Sequence, residues 1–329
     1  MPMLKVTHSP GRHCASTSIR NLVNHHGIPF SEAMCFGIGA GLGIWYLDFP
    51  GLPASRMIHV RSVDIEAQFF TRLGYDFSWE QNDDPEQSET ALCRHLEAGR
   101  PAVIQTDIYY LPYYGSNTHF PGHLIAVWGY DPEKEEFFVT DTERPEPIAV
   151  PFADMRKARF FRNEVFDLRG NLFAPDNLAL PPDLPGIIGS AVVYNSQSLT
   201  DPSSRTIGIR ALETMLDELP GWAGFEDWRW AARFAYQVIE KRGTGGGGFR
   251  LMYADFLEEA ALLVPRIASL GLASMMREAG RAWQNLAGAL KSASEKEIPV
   301  FTDVSGCMET VIQTESEYHQ AVLGGLAIN

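Results

Sequence analysis

Residues 122–141 leave the chain little choice of fold. Gly122-His123-Leu124-Ile125-Ala126-Val127-Trp128-Gly129-Tyr130 and Glu136-Phe137-Phe138-Val139-Thr140 are apolar, β-rich runs on either side of Asp131-Pro132-Glu133-Lys134. Asp before Pro opens a turn, so the segment predicts an antiparallel hairpin. A turn centred on Pro132 sets His123, at the start of the first strand, opposite Asp141, at the end of the second, on one face. A carboxylate facing an imidazole fixes the ring and its tautomer and leaves the other nitrogen to take a proton. Asp107 and Asp131 are the alternative acids, and Asp131 reads as a turn residue.

A partner for that imidazole stands upstream. Ser9-Pro10-Gly11 runs into a helical pattern in which Ala15, Ile19, Leu22, Val23 and His26 recur on one face, and Gly27 and Pro29 stop it. Cys14 falls at the first helical turn, where unpaired N–H groups and the helix dipole favour thiolate, the nucleophilic form. A free cysteine is more often a small buried hydrophobe, so Cys14 becomes a candidate nucleophile only together with His123 and Asp141.

Composition narrows the function classes. The 329 residues are 45% hydrophobic and 21% charged, as in globular proteins, with a net charge of −14. That balance speaks against nucleic acid or an anionic membrane as a partner. An acidic protein partner would need a local basic patch, such as Arg156, Lys157, Arg159 and Arg162. Cys14, Cys35, Cys93 and Cys307 show no paired spacing, which points to a reducing compartment rather than to disulfides or zinc. With no signal-peptide pattern and no apolar stretch near the roughly 20 residues of a membrane span, the expected location is cytoplasmic.

Four glycines in Gly37-Ile38-Gly39-Ala40-Gly41-Leu42-Gly43 lack the spacing of a dinucleotide loop and the lysine of a phosphate loop. They suit either a tight packing turn or a close approach of backbone N–H groups to an oxyanion. Helices are expected over 62–75 and 89–99, and a strand over 102–107. Tyr109, Tyr110, Tyr113 and Tyr114 then surround Pro112, as a substrate-channel wall or a packed lid. His119 and His123 have a metal-like spacing, but Pro121 and Gly122 forbid the helix that would align them.

Prolines between 145 and 185 mark a crossing between domains, with a helix over 152–161 inside it. Beyond it the pattern is helical, over 203–219, 225–241, 249–263, 266–290 and 304–323. Gly243-Thr244-Gly245-Gly246-Gly247-Gly248 reads as a linker or as a mobile element closing on a ligand. The expected division is a catalytic domain over 1–160, a crossing segment over 161–185 and a mainly helical domain over 186–329.

Gly11-x-His13-Cys14-x-Ser16-Thr17-x-x-Arg20-Asn21-Leu22, then Ser31-Glu32-Ala33-Met34-x-Phe36-Gly37, Gly122-His123 and Gly129-Tyr130-Asp131, resembles the butirosin biosynthesis protein H (BtrH) family. Gly246-Gly247-Gly248-Phe249-Arg250-x-x-Tyr253-x-x-Phe256-Leu257 is similar to the helical domain that accompanies it. The resemblance implies an α+β, papain-like domain, a Cys-bearing helix packed on an antiparallel sheet, followed by a mainly α-helical domain. It further implies Cys14 as nucleophile, His123 as base and Asp141 as orienting acid.

The activity so implied is acyl transfer in natural-product biosynthesis. An acyl carrier protein or another acyl thioester is the donor, and a small-molecule amine or an internal nucleophile is the acceptor. No cofactor is expected beyond a phosphopantetheine on the substrate, and self-association is left open. The papain-like glutamine that binds the oxyanion is missing from Val6-Thr7-His8-Ser9. His8, Gly39 and Gly41 are therefore candidate oxyanion groups, and Tyr109 and Tyr113 candidate substrate-lining groups. A cysteine peptidase or amidase, a thioesterase or cyclase, and a non-catalytic binding protein are the competing readings.

Overall fold

The computed structural model describes residues 3–49, 52–163 and 166–326. The chain forms an α+β N-terminal region with an antiparallel sheet, then a mainly helical C-terminal region. Two compact units emerge, Met1–Cys35 with Leu73–Pro181, and Phe36–Arg72 with Pro182–Asn329. This differs from the division expected from sequence, because residues 36–72 pack with the helical unit. A Cβ on Gly37 would lie inside the Phe256 ring, and Phe36 stacks on Phe249 at 5.0 Å. The proline-rich stretch is likewise more than a crossing. It supplies the strand Ile148–Pro151 and helix Phe152–Arg159 to the first unit, and Pro185 lies in the first turn of a helix, Leu184–Thr200, of the second.

The first unit is built on a five-stranded antiparallel sheet in the order Ile148–Pro151, Glu136–Thr140, His123–Asp131, Ala102–Thr106, Leu172–Phe173. Alternate residues of its strands, Ile104, Ile125, Val127, Phe137 and Val139, form a core with Leu92 and Leu96 of the helix Pro85–Glu97. That helix begins earlier than its hydrophobic pattern suggests, because Asp84 caps it and Pro85 occupies its first turn. The helix Cys14–His25 packs against the His123 strand, with His25 edge-on to Trp128.

The hairpin has a different register from the one centred on Pro132. Asp131 pairs with Glu136, Tyr130 with Phe137 and Gly129 with Phe138, but Val127 pairs with Val139 and Ala126 with Thr140. Trp128 is therefore the extra residue of a β-bulge. It is fully buried, and its indole N–H donates to Thr140 Oγ1 at 2.8 Å. Continued past Thr140, this register sets Ile125 opposite Asp141 and His123 one step further along the same face. Without the bulge, the pairing near the turn would carry Asp141 to the face opposite His123. Asp131 is a turn residue, accepting from Glu133 N and Lys134 N.

In the second unit, Leu42–Leu47 and Met57–Arg61 form an antiparallel pair absent from the sequence expectation. A Cβ on Gly43 would meet the Arg61 carbonyl at 2.2 Å, so this glycine permits close strand approach. Helices Ile209–Glu218, Trp228–Glu240 and Arg250–Ala261 follow the predicted pattern with trimmed ends, and Thr302–Gly325 runs two residues past its predicted bounds at each end. The helix expected over 266–290 is split into Pro265–Ser269 and Leu272–Ser294 by Gly271 in the left-handed region. Among the described residues, no helix is long and apolar enough to cross a membrane.

The Gly243–Gly248 stretch is packed rather than a linker. Gly247 and Gly248 are buried, Gly247 N–H donates to Glu240 Oε1, and a Cβ on Gly247 would meet the Gly280 carbonyl at 2.7 Å. Arg250, wholly buried, donates to the carbonyls of Gly248 and Val60 and pairs with the buried Glu315 at 2.6 Å. Glu315 also accepts from Trp283 Nε1, and His319 bridges it to Ser196. Burial alone raises the Glu315 pKa, but the Arg250 charge and the His319 contact outweigh it and bring it down to about 2. Its ionised form therefore stabilises the unit fully above its ordinary value of 4.5, and this contribution is lost as pH falls toward 2. Replacing Glu315 with Ala strands the Arg250 charge, and urea titration should show a loss of about 3–5 kcal/mol near neutral pH. The gap from wild type should narrow as acid protonates Glu315.

Candidate active site

The nucleophile candidate sits where the helix Cys14–His25 begins. His13 is the N-cap, in extended conformation, and its Nδ1 accepts from Ser16 N–H. The loop before it is gripped by one carboxylate. Glu32 Oε1 accepts from His13 N at 2.8 Å, Arg12 N at 3.0 Å, and the hydroxyls of Ser16 and Thr17 at 3.1 Å each. Gly11 is required beside this clamp, because a Cβ there would meet Thr17 Oγ1 at 2.0 Å and Glu32 Oε2 at 2.9 Å. Its N–H donates to the Thr142 carbonyl, tying the loop to the residue that follows Asp141. Cys14 is 9% exposed, at the edge of burial.

His123 and Asp141, 5% and 1% exposed, meet directly. His123 Nε2 lies 2.9 Å from both carboxylate oxygens. Tyr113 donates its hydroxyl to Asp141 Oδ2 at 2.7 Å and Thr142 donates to Oδ1 at 2.9 Å. The Tyr114 hydroxyl is 3.2 Å from His123 Nε2. Burial alone lowers the His123 pKa, but the charge and hydrogen bond of Asp141, joined by a hydrogen bond with Cys14, raise it to about 10. Burial pushes the Asp141 carboxyl up, and the His123 charge with the His123, Tyr113 and Thr142 hydrogen bonds brings it below its ordinary value. Burial and the Asp141 charge push both Tyr113 and Tyr114 up, so each remains a neutral donor. With Nε2 committed to Asp141, Nδ1 is the nitrogen left for the Cys14 proton.

The structure thus brings Cys14, His123 and Asp141 together and gives His8, Gly41 and Tyr113 other partners. His8 accepts from Asn21 Nδ2 at Nδ1 and donates through Nε2 to the Arg144 carbonyl, so both its nitrogens are spent and neither can hold an oxyanion. Gly39 and Gly41 lie in the second unit. The Gly41 N–H donates to the Phe36 carbonyl, and a Cβ there would meet the Phe36 ring at 2.6 Å, which is a packing role. Tyr113 holds Asp141 rather than lining a channel, while Tyr109 is exposed and stacks on His119. The basic patch is neutralised. Arg156 pairs with Glu89, Arg162 with Asp83 and Asp167, and Arg159 is buried against Ser88 and the Gly170 carbonyl.

Sequence reading missed Glu32, Thr142 and the placement of Tyr114. The Ser31-Glu32 helix start was visible, but nothing in the spacing ties Glu32 to Gly11–Thr17. Two outcomes are expected from this geometry. Glu32→Ala should lower the alkylation rate of Cys14 by iodoacetamide and destabilise the protein in urea by about 1–3 kcal/mol, because the loop donors lose their acceptor. The raised His123 pKa contributes stability that is complete below the ordinary value of 6.5 and disappears as pH rises through about 10. The lowered Asp141 pKa contributes stability lost as pH falls. The destabilisation caused by Asp141→Asn should therefore be largest in mildly acidic solution and shrink toward pH 10, as followed by denaturant titrations across that range.

Residues 13–142 match the family model described as butirosin biosynthesis protein H, N-terminal, and residues 153–322 match the model described as a domain of unknown function, DUF4872. No curated protein matches the chain.

Proposed function

Because this chain carries the N-terminal domain of butirosin biosynthesis protein H over residues 13–142, ahead of a DUF4872 domain over 153–322, we propose that it is a biosynthetic acyltransferase working through an acyl-cysteine. The first unit would then be a papain-like catalytic domain, with Cys14, His123 and Asp141 as its triad. One observation carries this reading. A buried carboxylate takes Nε2 of an imidazole that also hydrogen-bonds a cysteine at a helix N-terminus.

In that reading Cys14 rests as a thiolate beside a protonated His123. The sulfur attacks the carbonyl carbon of an acyl thioester, and the first-turn N–H groups of the Cys14 helix face the developing oxyanion. The carbon–sulfur bond of the donor breaks, and His123 hands its proton to the departing thiol. A thiol needs little such help, so a thioester suits this site better than an amide. An amine then attacks the acyl-Cys14, the new carbon–nitrogen bond forms, and the Cys14 thiolate returns. An acyl carrier protein or a smaller thioester would serve as donor and a small-molecule amine as acceptor. Around Arg156 the basic side chains are already paired with Glu89 and Asp83.

Intact-protein mass spectrometry with a panel of acyl-N-acetylcysteamine thioesters tests this directly. Wild type should gain one acyl mass and Cys14→Ala none, while His123→Ala should acylate about 10²–10⁴-fold more slowly. An adduct that persists in Cys14→Ala, or no adduct and no thioester consumption with any donor, would count against the proposal.

A further inference from the structure

Two residues left over from the triad find each other. Asp107 is fully buried, and its Oδ1 accepts from Tyr109 N at 3.2 Å and Phe120 N at 2.8 Å. Its Oδ2 lies 2.5 Å from His119 Nδ1. The His119 ring is sandwiched between Tyr109, at 4.2 Å and 24°, and Phe161, at 4.6 Å and 27°. Its side chain is nevertheless 41% exposed, and Nε2 has no hydrogen-bond partner among the described residues. A buried carboxylate behind an imidazole that presents its second nitrogen is the wiring of His123 and Asp141, repeated. Capping the turn would need only the two backbone bonds to Asp107. The held imidazole is an addition to that cap, fixed in orientation by Asp107 and the two stacked rings.

Its position ties it to the site. Thr106, immediately before Asp107, is the cross-strand partner of His123, and its hydroxyl donates to the His123 carbonyl at 3.1 Å. Phe120, immediately after His119, has its ring centroid 6.5 Å from that of His123. The ends of the strands Ala102–Thr106 and His123–Asp131 therefore carry Asp107, His119 and His123, while Asp141 follows the strand Glu136–Thr140.

The proton balance of the proposed reaction supplies the need. An alkylamine with a pKa of about 10 is almost wholly ammonium at neutral pH. To become an amide its nitrogen must lose two protons, one before attack and one as the tetrahedral intermediate collapses. When acyl-Cys14 has formed, His123 is neutral and can take one proton, which restores the thiolate–imidazolium pair. The second needs another base. We propose that His119, oriented by Asp107, is that base, a second acid–base pair serving the acceptor amine. The ammonium gives one proton to His119 Nε2 and its nitrogen attacks the acyl carbon. The carbon–sulfur bond then breaks, Cys14 leaves as thiolate, and His123 takes the other proton. His119 returns its proton to water.

This inference rests on the acyl-cysteine reading, and the experiment separates the two. Acyl-enzyme is formed from acetyl-N-acetylcysteamine, and its discharge at pH 7 is followed by mass with ethanolamine or with hydroxylamine, which is largely unprotonated there. In His119→Gln, discharge by ethanolamine should slow by about 100-fold, while hydroxylamine should act within about twofold of its wild-type rate. The ethanolamine rate of the variant should climb with pH as free amine becomes available. Asp107→Asn, which keeps an acceptor for the backbone bonds, should behave in the same direction. Equal slowing with both nucleophiles, or no slowing, would overturn the role of the pair. So would a wild-type acyl-enzyme that ethanolamine discharges no faster than water does. A wild type that never becomes acylated would instead bring down the acyltransferase reading itself.

Discussion

A carboxylate as deeply buried as Asp141 is tolerable only if its lone pairs are occupied, and the arrangement of the first unit follows from how they are filled. His123 takes both oxygens at once, with Tyr113 on one and Thr142 on the other. The interaction fixes the imidazole by its Nε2 edge and, with a Cys14 hydrogen bond, raises its basicity. It also accounts for the tyrosine-rich loop after the strand Ala102–Thr106, which folds back as the shell of the acid. A single inserted residue, Trp128, lets the hairpin deliver both partners to one face.

The loop before Cys14 is held by a second carboxylate with a different task. Glu32 collects backbone and hydroxyl donors from the loop and first turn around Cys14, so that two separated stretches of sequence converge on one group. Its negative charge works against a thiolate, so its contribution is geometric. The hydrogen bond from Gly11 to Thr142 then couples the nucleophile loop to the acid's own strand end. Position on one side and proton affinity on the other come from two different carboxylates.

In the helical unit, glycine serves packing. Gly37 admits the Phe256 ring, Gly43 admits a neighbouring strand, and Gly247 admits the Gly280 carbonyl. The last two lie beside Arg250, whose charge is answered by Glu315 and by carbonyls of the same loop and strand pair. A buried ion pair of this kind gains little net stability over an apolar core, but it penalises alternative packings in which either charge loses its partner.

Periodicity and turn chemistry determined a good deal in the sequence alone. Among these are the helix that starts at Cys14, the hairpin of His123 and Asp141, and most C-terminal helices, because such signals act over a few residues. Even the expected pairing of His123 with Asp141 survived a wrong register, since an error of two residues leaves side chains on the same face. What acts over long sequence distances was decided only in three dimensions. Tertiary packing set residues 36–72 in the helical unit, ordered the Gly243–Gly248 loop, and occupied both nitrogens of His8. It brought Glu32 to the Cys14 loop and Asp107 to His119 as well. Neither carboxylate carries a local pattern that names its partner, because a buried charge takes whatever donors the completed fold places around it.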